Sequence, residues 1–225
     1  MSIQSALDFM GELKLNNNRD WFQEHKSTYD KEAAEFEDFL GLLIGDLAGI
    51  DPALIDLQPK DCMYRIYRDV RFSKDKTPYD PSFRAHIAAG GRKSVSTGLY
   101  IQLSPDDPLL GGGVHAMLPE VTRLVRDYIA AHDQEFYEIV TAPDFPFTPE
   151  GEKLKKVPAG YDESALSAEY LKLKSWTVMP RLTGDDLKSY DALRKTSVHF
   201  FKQIQPLYLF FHNALRGFVP PSSKK

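Results

Sequence analysis

The feature that most constrains this chain is a change of hydrophobic period between residues 29 and 72. From Tyr29 the apolar positions are Ala33, Phe36, Leu40, Leu43, Ile44 and Leu47, separated mainly by four and three residues. One face of a helix is therefore apolar, while Glu32, Glu35, Glu37 and Asp38 fall on the wetter side. Asn17 or Asn18 can accept from the open amides at its start, and Asp20 suits the positive end of the helix dipole. The spacing predicts one long helix that ends at Gly49 and the Asp51-Pro52 pair, because proline pushes the residue before it away from helical geometry. Beyond residue 60 the period becomes two. Cys62, Tyr64, Ile66, Val70 and Phe72 share one parity, interrupted by Arg68, whereas Arg65, Tyr67, Asp69 and Arg71 share the other. A chain with both periods must lay helices on a sheet, which predicts an α+β fold: a mixed or mainly antiparallel sheet packed by long N-terminal and C-terminal helices.

The later segments extend this scheme. Residues 83–89 read as a strand with Phe83, Ala85 and Ile87 opposing Arg84 and His86, and residues 97–103 as another with Leu99, Ile101 and Leu103 opposing Tyr100 and Gln102. Gly90 and Gly91 suit the turn between them. A further short strand is expected over 112–117. A helix should open at Pro119 and Glu120, with Leu124, Tyr128 and Ile129 packed and Arg123 and Arg126 facing solvent, and a second should reach Val140. Pro143, Pro146 and Pro149 mark a loop. Residues 153–158 are expected to be a short strand, 164–173 helical and 175–179 extended, and Thr183 with Asp185 and Asp186 resembles a helix entrance. The last apolar helix, rich in Phe, contains Pro206, which predicts a kink or two helices.

Length favours one substantial domain over 1–219 with a loose tail over 220–225. A hydrophobic content of 42% is enough for a core without staples, and the single cysteine, Cys62, rules out an internal disulfide and any multi-thiolate metal site. The opening residues lack a basic leader and a long apolar run, so a cytoplasmic chain without a membrane span is expected. The net charge of -4 is unevenly spread. Between Lys60 and Lys93 nine Lys or Arg face four Asp, which leaves the remainder at -9. Such asymmetry can focus an anion on one region.

That region carries the candidate chemistry. Arg65, Arg68 and Arg71 present planar donor forks that match phosphate or carboxylate oxygens, and Asp69 is placed to orient one of them. Lys74 and Lys76 lie in a compact polar turn with Ser73, Asp75 and Thr77 whose amides could cradle an anion, although the order of a P-loop is absent. Arg84 and Tyr100 lie on the polar faces of the two following strands and complete the expected ligand-binding set. His86 is a candidate for general acid or base work; nothing local fixes a nucleophile beside it. No metal site and no cofactor are expected, since the six histidines are dispersed. The alternative is that the charges satisfy internal ion pairs in a noncatalytic structural or protein-interaction domain. A third reading, single-stranded nucleic-acid binding, draws on Tyr64, Tyr67, Phe72 and Tyr79 among the bases; the acidic whole and the lack of a binding motif weigh against it. The residues name neither a reaction nor an oligomeric state.

The run from Arg68-Asp69-Val70-Arg71-Phe72-Ser73 through Lys74-Asp75-Lys76-Thr77-Pro78-Tyr79 resembles the centre of the DUF2461 family, whose members are of uncharacterised function. Asn16-Asn17-Asn18 before Trp21-Phe22, Gly98-Leu99-Tyr100, Gly111-Gly112-Gly113, Lys156-Val157-Pro158-Ala159-Gly160 and the stretch 172–175 fit the same pattern, which covers nearly the whole chain. Asp80 departs from it, because the resemblance implies a lysine there. The likeness implies an α+β domain and supplies no catalytic assignment.

Overall fold

The computed structural model describes residues 3–115 and 118–218. The expected tail over 220–225 and the end of the strand expected over 112–117 lie outside them. The protein is α+β, with eight α-helices and four strands among the described residues, paired antiparallel. No described helix is long and apolar enough to cross a membrane. The chain forms two compact units, one built from residues 1–94, 99–110 and 180–200, the other from 95–98, 111–179 and 201–225.

In the first unit, helices α1 (Ile3–Leu15), α2 (Arg19–Glu24) and α3 (Lys26–Ala48) precede a short α4 (Pro59–Cys62). The single long helix expected from Asn17 onward is thus corrected. Asn18 does cap, accepting from the Trp21 amide, but the helix it opens stops at His25, and α3 restarts at once. Helix α1 was not anticipated; its buried Ile3, Ala6, Phe9, Met10 and Leu13 follow helical spacing. Phe36, Phe39, Leu40, Leu43 and Leu47 of α3 are buried as the periodicity requires.

Strands β1 (Phe83–Ile87) and β2 (Leu99–Leu103) pair in the register Phe83 with Leu103, Arg84 with Gln102, Ala85 with Ile101, His86 with Tyr100 and Ile87 with Leu99. Phe83, Ala85, Ile87, Leu99, Ile101 and Leu103 are buried, with Phe36 and Tyr29 of α3 against the Phe83 ring. The alternation therefore leaves Arg84, His86, Tyr100 and Gln102 together on the opposite face. The turn between the strands takes Gly90 and Gly91 at positive φ, and a Cβ on Gly91 would press on the Asp61 carbonyl.

The strand expected over 62–72 is corrected. Cys62 ends α4, and beyond it only two isolated pairings form, Met63 with Ala85 and Tyr67 with Tyr79. Cys62 and Ile66 are buried, but Tyr64, Tyr67 and Phe72 are exposed. A run that pairs at isolated points obeys the parity only where it touches the sheet.

The second unit holds α5 (Pro119–Ala131), α6 (Asp133–Thr141), a short α7 (Ala168–Leu171) and β4 (Trp176–Val178), which pairs with the end of β3 (Leu109–Val114). Residues 153–158 form no strand beyond one bridge from Lys153 to Leu173, and the helix expected over 164–173 shrinks to α7. Thr183 and Asp186 close a hydrogen-bonded turn in the first unit, and α8 (Tyr190–Ala214) begins only later. Of the kink or two helices expected at Pro206, the second is corrected: α8 runs through it as one helix. Pro206 lies on its exposed side, where the carbonyl it leaves without a donor faces solvent.

Arg126 corrects another expectation. It is buried rather than solvent-facing, and its guanidinium donates to the carbonyls of Leu171 and Leu173 at 2.8 and 2.7 Å, between the rings of Tyr161 and Trp176. It thereby satisfies carbonyls at the end of α7 that the helix itself cannot. Replacing Arg126 with Met relieves a desolvated charge but orphans two buried carbonyls, and the second effect should win. We expect Arg126→Met to lose roughly 2 kcal/mol of stability in urea unfolding followed by tryptophan fluorescence; an unchanged midpoint would contradict this role.

Candidate functional site

The residues singled out in the basic run separate into two groups. The first belongs to a closed loop. Its ends are tied by the Tyr67–Tyr79 bridge and by the Arg68 amide on the Pro78 carbonyl at 2.9 Å. Arg68 is half-buried and donates to the Asp75 carboxylate at 2.5 Å, to the Thr77 carbonyl at 3.3 Å and to the Thr77 hydroxyl. Asp75 also accepts from the Thr77 amide, and these bonds hold its carboxyl down at about 2. Arg71 grips Asp69 with Nε and Nη2, and the pair is fully exposed. Lys76 donates to the Val70 carbonyl. Arg68, Arg71 and Lys76 thus bind different partners and fix the loop's shape. Arg65 and Lys74 are exposed and make no hydrogen bond or ion pair among the described residues.

The loop's base explains the asparagine-rich opening. The Asn17 side chain brackets Tyr79, donating to its carbonyl at 3.0 Å and accepting from its amide at 3.1 Å, while the Phe22 ring stacks on Tyr79 at 4.2 Å. Two distant motifs therefore form one structural joint.

The second group lies on the polar face of β1 and β2. Arg84 is half-buried, its Nη2 2.8 Å from Asp80 and its guanidinium 5.4 Å from the centre of the Tyr64 ring, and Tyr100 lies on the cross-strand diagonal from it. Tyr100 donates to Gln102 at 3.0 Å and meets Tyr64 edge-on. Asp80 stands as the counterion of Arg84 and also accepts from Ser82 at 2.5 Å. The Nε of Arg84 is buried and has no partner among the described residues. A buried N–H without an acceptor is rare and costs about 1–3 kcal/mol. His86 sits across from Tyr100, with no hydrogen bond to either ring nitrogen among the described residues. Burial alone lowers its pKa to about 4, so the imidazole is neutral near pH 7.

The sequence placed Arg84, His86 and Tyr100 together correctly, through strand parity. It missed Tyr64, assigned there to the packed side, and the pairing of Asp80 with Arg84. Cys62 is buried, its thiol pushed up to about 12 mainly by that burial, so it carries no thiolate chemistry near neutrality. Among the described residues no three His, Cys, Asp or Glu side chains are grouped as metal ligands.

Fold and site together define an α+β protein whose half-buried strand face gathers an arginine, a neutral histidine, two tyrosines and an amide. The chain belongs to the DUF2461 family, described as a conserved hypothetical protein, whose profile matches residues 5–210. No curated protein and no solved structure matches it significantly.

The depressed pKa of His86 makes a prediction about acid stability. Its folded value lies below its ordinary 6.5, so the unfolded chain takes up the proton first. The stability tied to the neutral ring is complete above about pH 6.5 and lost as pH falls toward 4, by roughly 3 kcal/mol in all. Asp69 and Asp75, both held at about 2, act only below that window, as pH falls from about 4. Urea midpoints measured from pH 7 to pH 4 should fall steeply in the wild type and much less in His86→Gln; parallel curves would contradict the assignment.

Proposed function

We propose that this protein binds a small molecule bearing a carboxylate or phosphate group on the polar face of β1 and β2. One observation carries the reading: the Arg84 Nε donor is buried without an acceptor among the described residues. Because Nε is shielded from solvent, an oxyanion that accepts from it displaces the side chains over it and completes the guanidinium's donor set while Asp80 keeps the group oriented from Nη2. Tyr100 lies on the cross-strand diagonal from Arg84, and the ring nitrogens of His86, unpartnered among the described residues, supply a further polar contact one cross-strand pair away. Polar groups left unmatched on a half-buried face are what a ligand site requires. Of the residues expected to bind, Arg84 and Tyr100 remain in the site. Arg68, Arg71 and Lys76 serve the loop, and Arg65 and Lys74 contribute only long-range attraction for an anion.

Calorimetric titration of inorganic phosphate and a panel of carboxylate and phosphate metabolites tests the reading. At least one class should bind the wild type, and Arg84→Gln should weaken that binding more than about tenfold. Arg71→Gln should leave it within about twofold, because its partner is Asp69 on the exposed loop. Asp80→Asn/Arg84→Gln controls for a stranded carboxylate. Equal losses in the Arg71 and Arg84 variants, or no binding by the folded wild type, would overturn the proposal.

A further inference from the structure

The loop that consumes most of the basic residues presents one side chain it does not use. Phe72 is 96% exposed, the most exposed large apolar residue described, with the Arg71 guanidinium 5.8 Å from its ring centre. The segment that carries it is tied across its base and braced within by Arg68, Asp75, Thr77 and Lys76, so the ring is displayed on a fixed support. A rigidly held aromatic loses little entropy on docking, and aromatic residues beside arginine are the commonest anchors of protein interfaces. Around it the charge is positive: residues 65–76 carry five Lys or Arg against two Asp, and Lys74 is unpaired among the described residues.

The complementary surface lies on α3 in the same unit. Leu42 is 56% exposed on that helix, and Asp38 and Asp46 stand four residues before and after it, in one row along the exposed side. Asp38 has no partner among the described residues, while Asp46 is shared with Arg194 at 3.3 Å. An exposed leucine between two carboxylates matches, in polarity and in charge, an exposed phenylalanine between Arg71 and Lys74.

We infer that the Phe72 loop of one copy docks on the Asp38–Leu42–Asp46 row of a second copy, Phe72 against Leu42 and Lys74 against Asp38. If each copy offers its loop to the other, the contact is two-fold and closed. This inference does not depend on the small-molecule site.

Sedimentation velocity from micromolar to sub-millimolar protein tests it. The wild type should show a concentration-dependent dimer that weakens as salt rises. Phe72→Ala and Leu42→Gln should each weaken association at least about tenfold, with nearly unchanged thermal unfolding because both side chains are exposed and neither change adds a charge. Asp38→Lys should weaken it too, and adding Lys74→Glu to that variant should restore it. A wild type that stays monomeric throughout, a dimer indifferent to Phe72→Ala, or a failed charge-swap rescue would overturn the inference. So would a monomer that binds an oligodeoxythymidine strand in a Phe72-dependent way, which would assign the loop to nucleic acid.

Discussion

The pairing of β1 with β2 in its observed register is the constraint on which the candidate site depends. Phe83, Ala85 and Ile87 must be buried with Leu103, Ile101 and Leu99, and Phe36 of α3 closes on Phe83. Because the pleat alternates, burying these residues sends Arg84, His86, Tyr100 and Gln102 to the other face. A slip of one residue would exchange the two sets and bury a guanidinium among phenylalanines, so the register is strongly specified. The polar face is thus a consequence of how the core packs, and its unusual electrostatics follow from that. His86 is neutral because burial disfavours its charged form, while Arg84 brings its own counterion, Asp80, to the same face.

The basic run looks chemical in the sequence, and in the structure Arg68, Arg71 and Lys76 meet partners within their own loop. Arg68, Asp75 and Thr77 form a brace, Asp69 and Arg71 a clasp, and Asn17 with Phe22 anchors the joint at Tyr79. An exposed ion pair such as Asp69 with Arg71 contributes little to global stability. Its effect is local: it ties Asp69 to Arg71 just before the exposed Phe72. The same economy appears in the second unit, where Arg126 spends its donors on backbone carbonyls at the end of α7.

How much of this was legible varied with how far each signal reached along the chain. Strands β1 and β2 and helices α5 and α6 follow from local period, from Gly90 and Gly91 and from Pro119, and all were readable. So was the grouping of Arg84, His86 and Tyr100, because strand parity is local. Helix α1 carries an equally clear period at Ile3, Ala6, Phe9, Met10 and Leu13, so it too was legible. Tyr64 and Phe72 misled, because alternation predicts burial only where a partner strand continues, and here pairing is confined to single bridges. The burial of Arg126 had no local signal at all; the carbonyls that receive it are 45 and 47 residues away. Continuity through Pro206 depended on which side of α8 met solvent, a tertiary fact.

The central claim is that Arg84 holds a donor in reserve for a ligand oxygen. Nitrogen-15 NMR of the arginine Nε–H group reads that donor directly. In the free protein the Arg84 Nε–H signal should lack the downfield shift of a hydrogen-bonded group, and on addition of an anion that binds it should move downfield and exchange more slowly with water. An Nε–H already downfield-shifted and protected in the free protein, and indifferent to every anion added, would contradict the account.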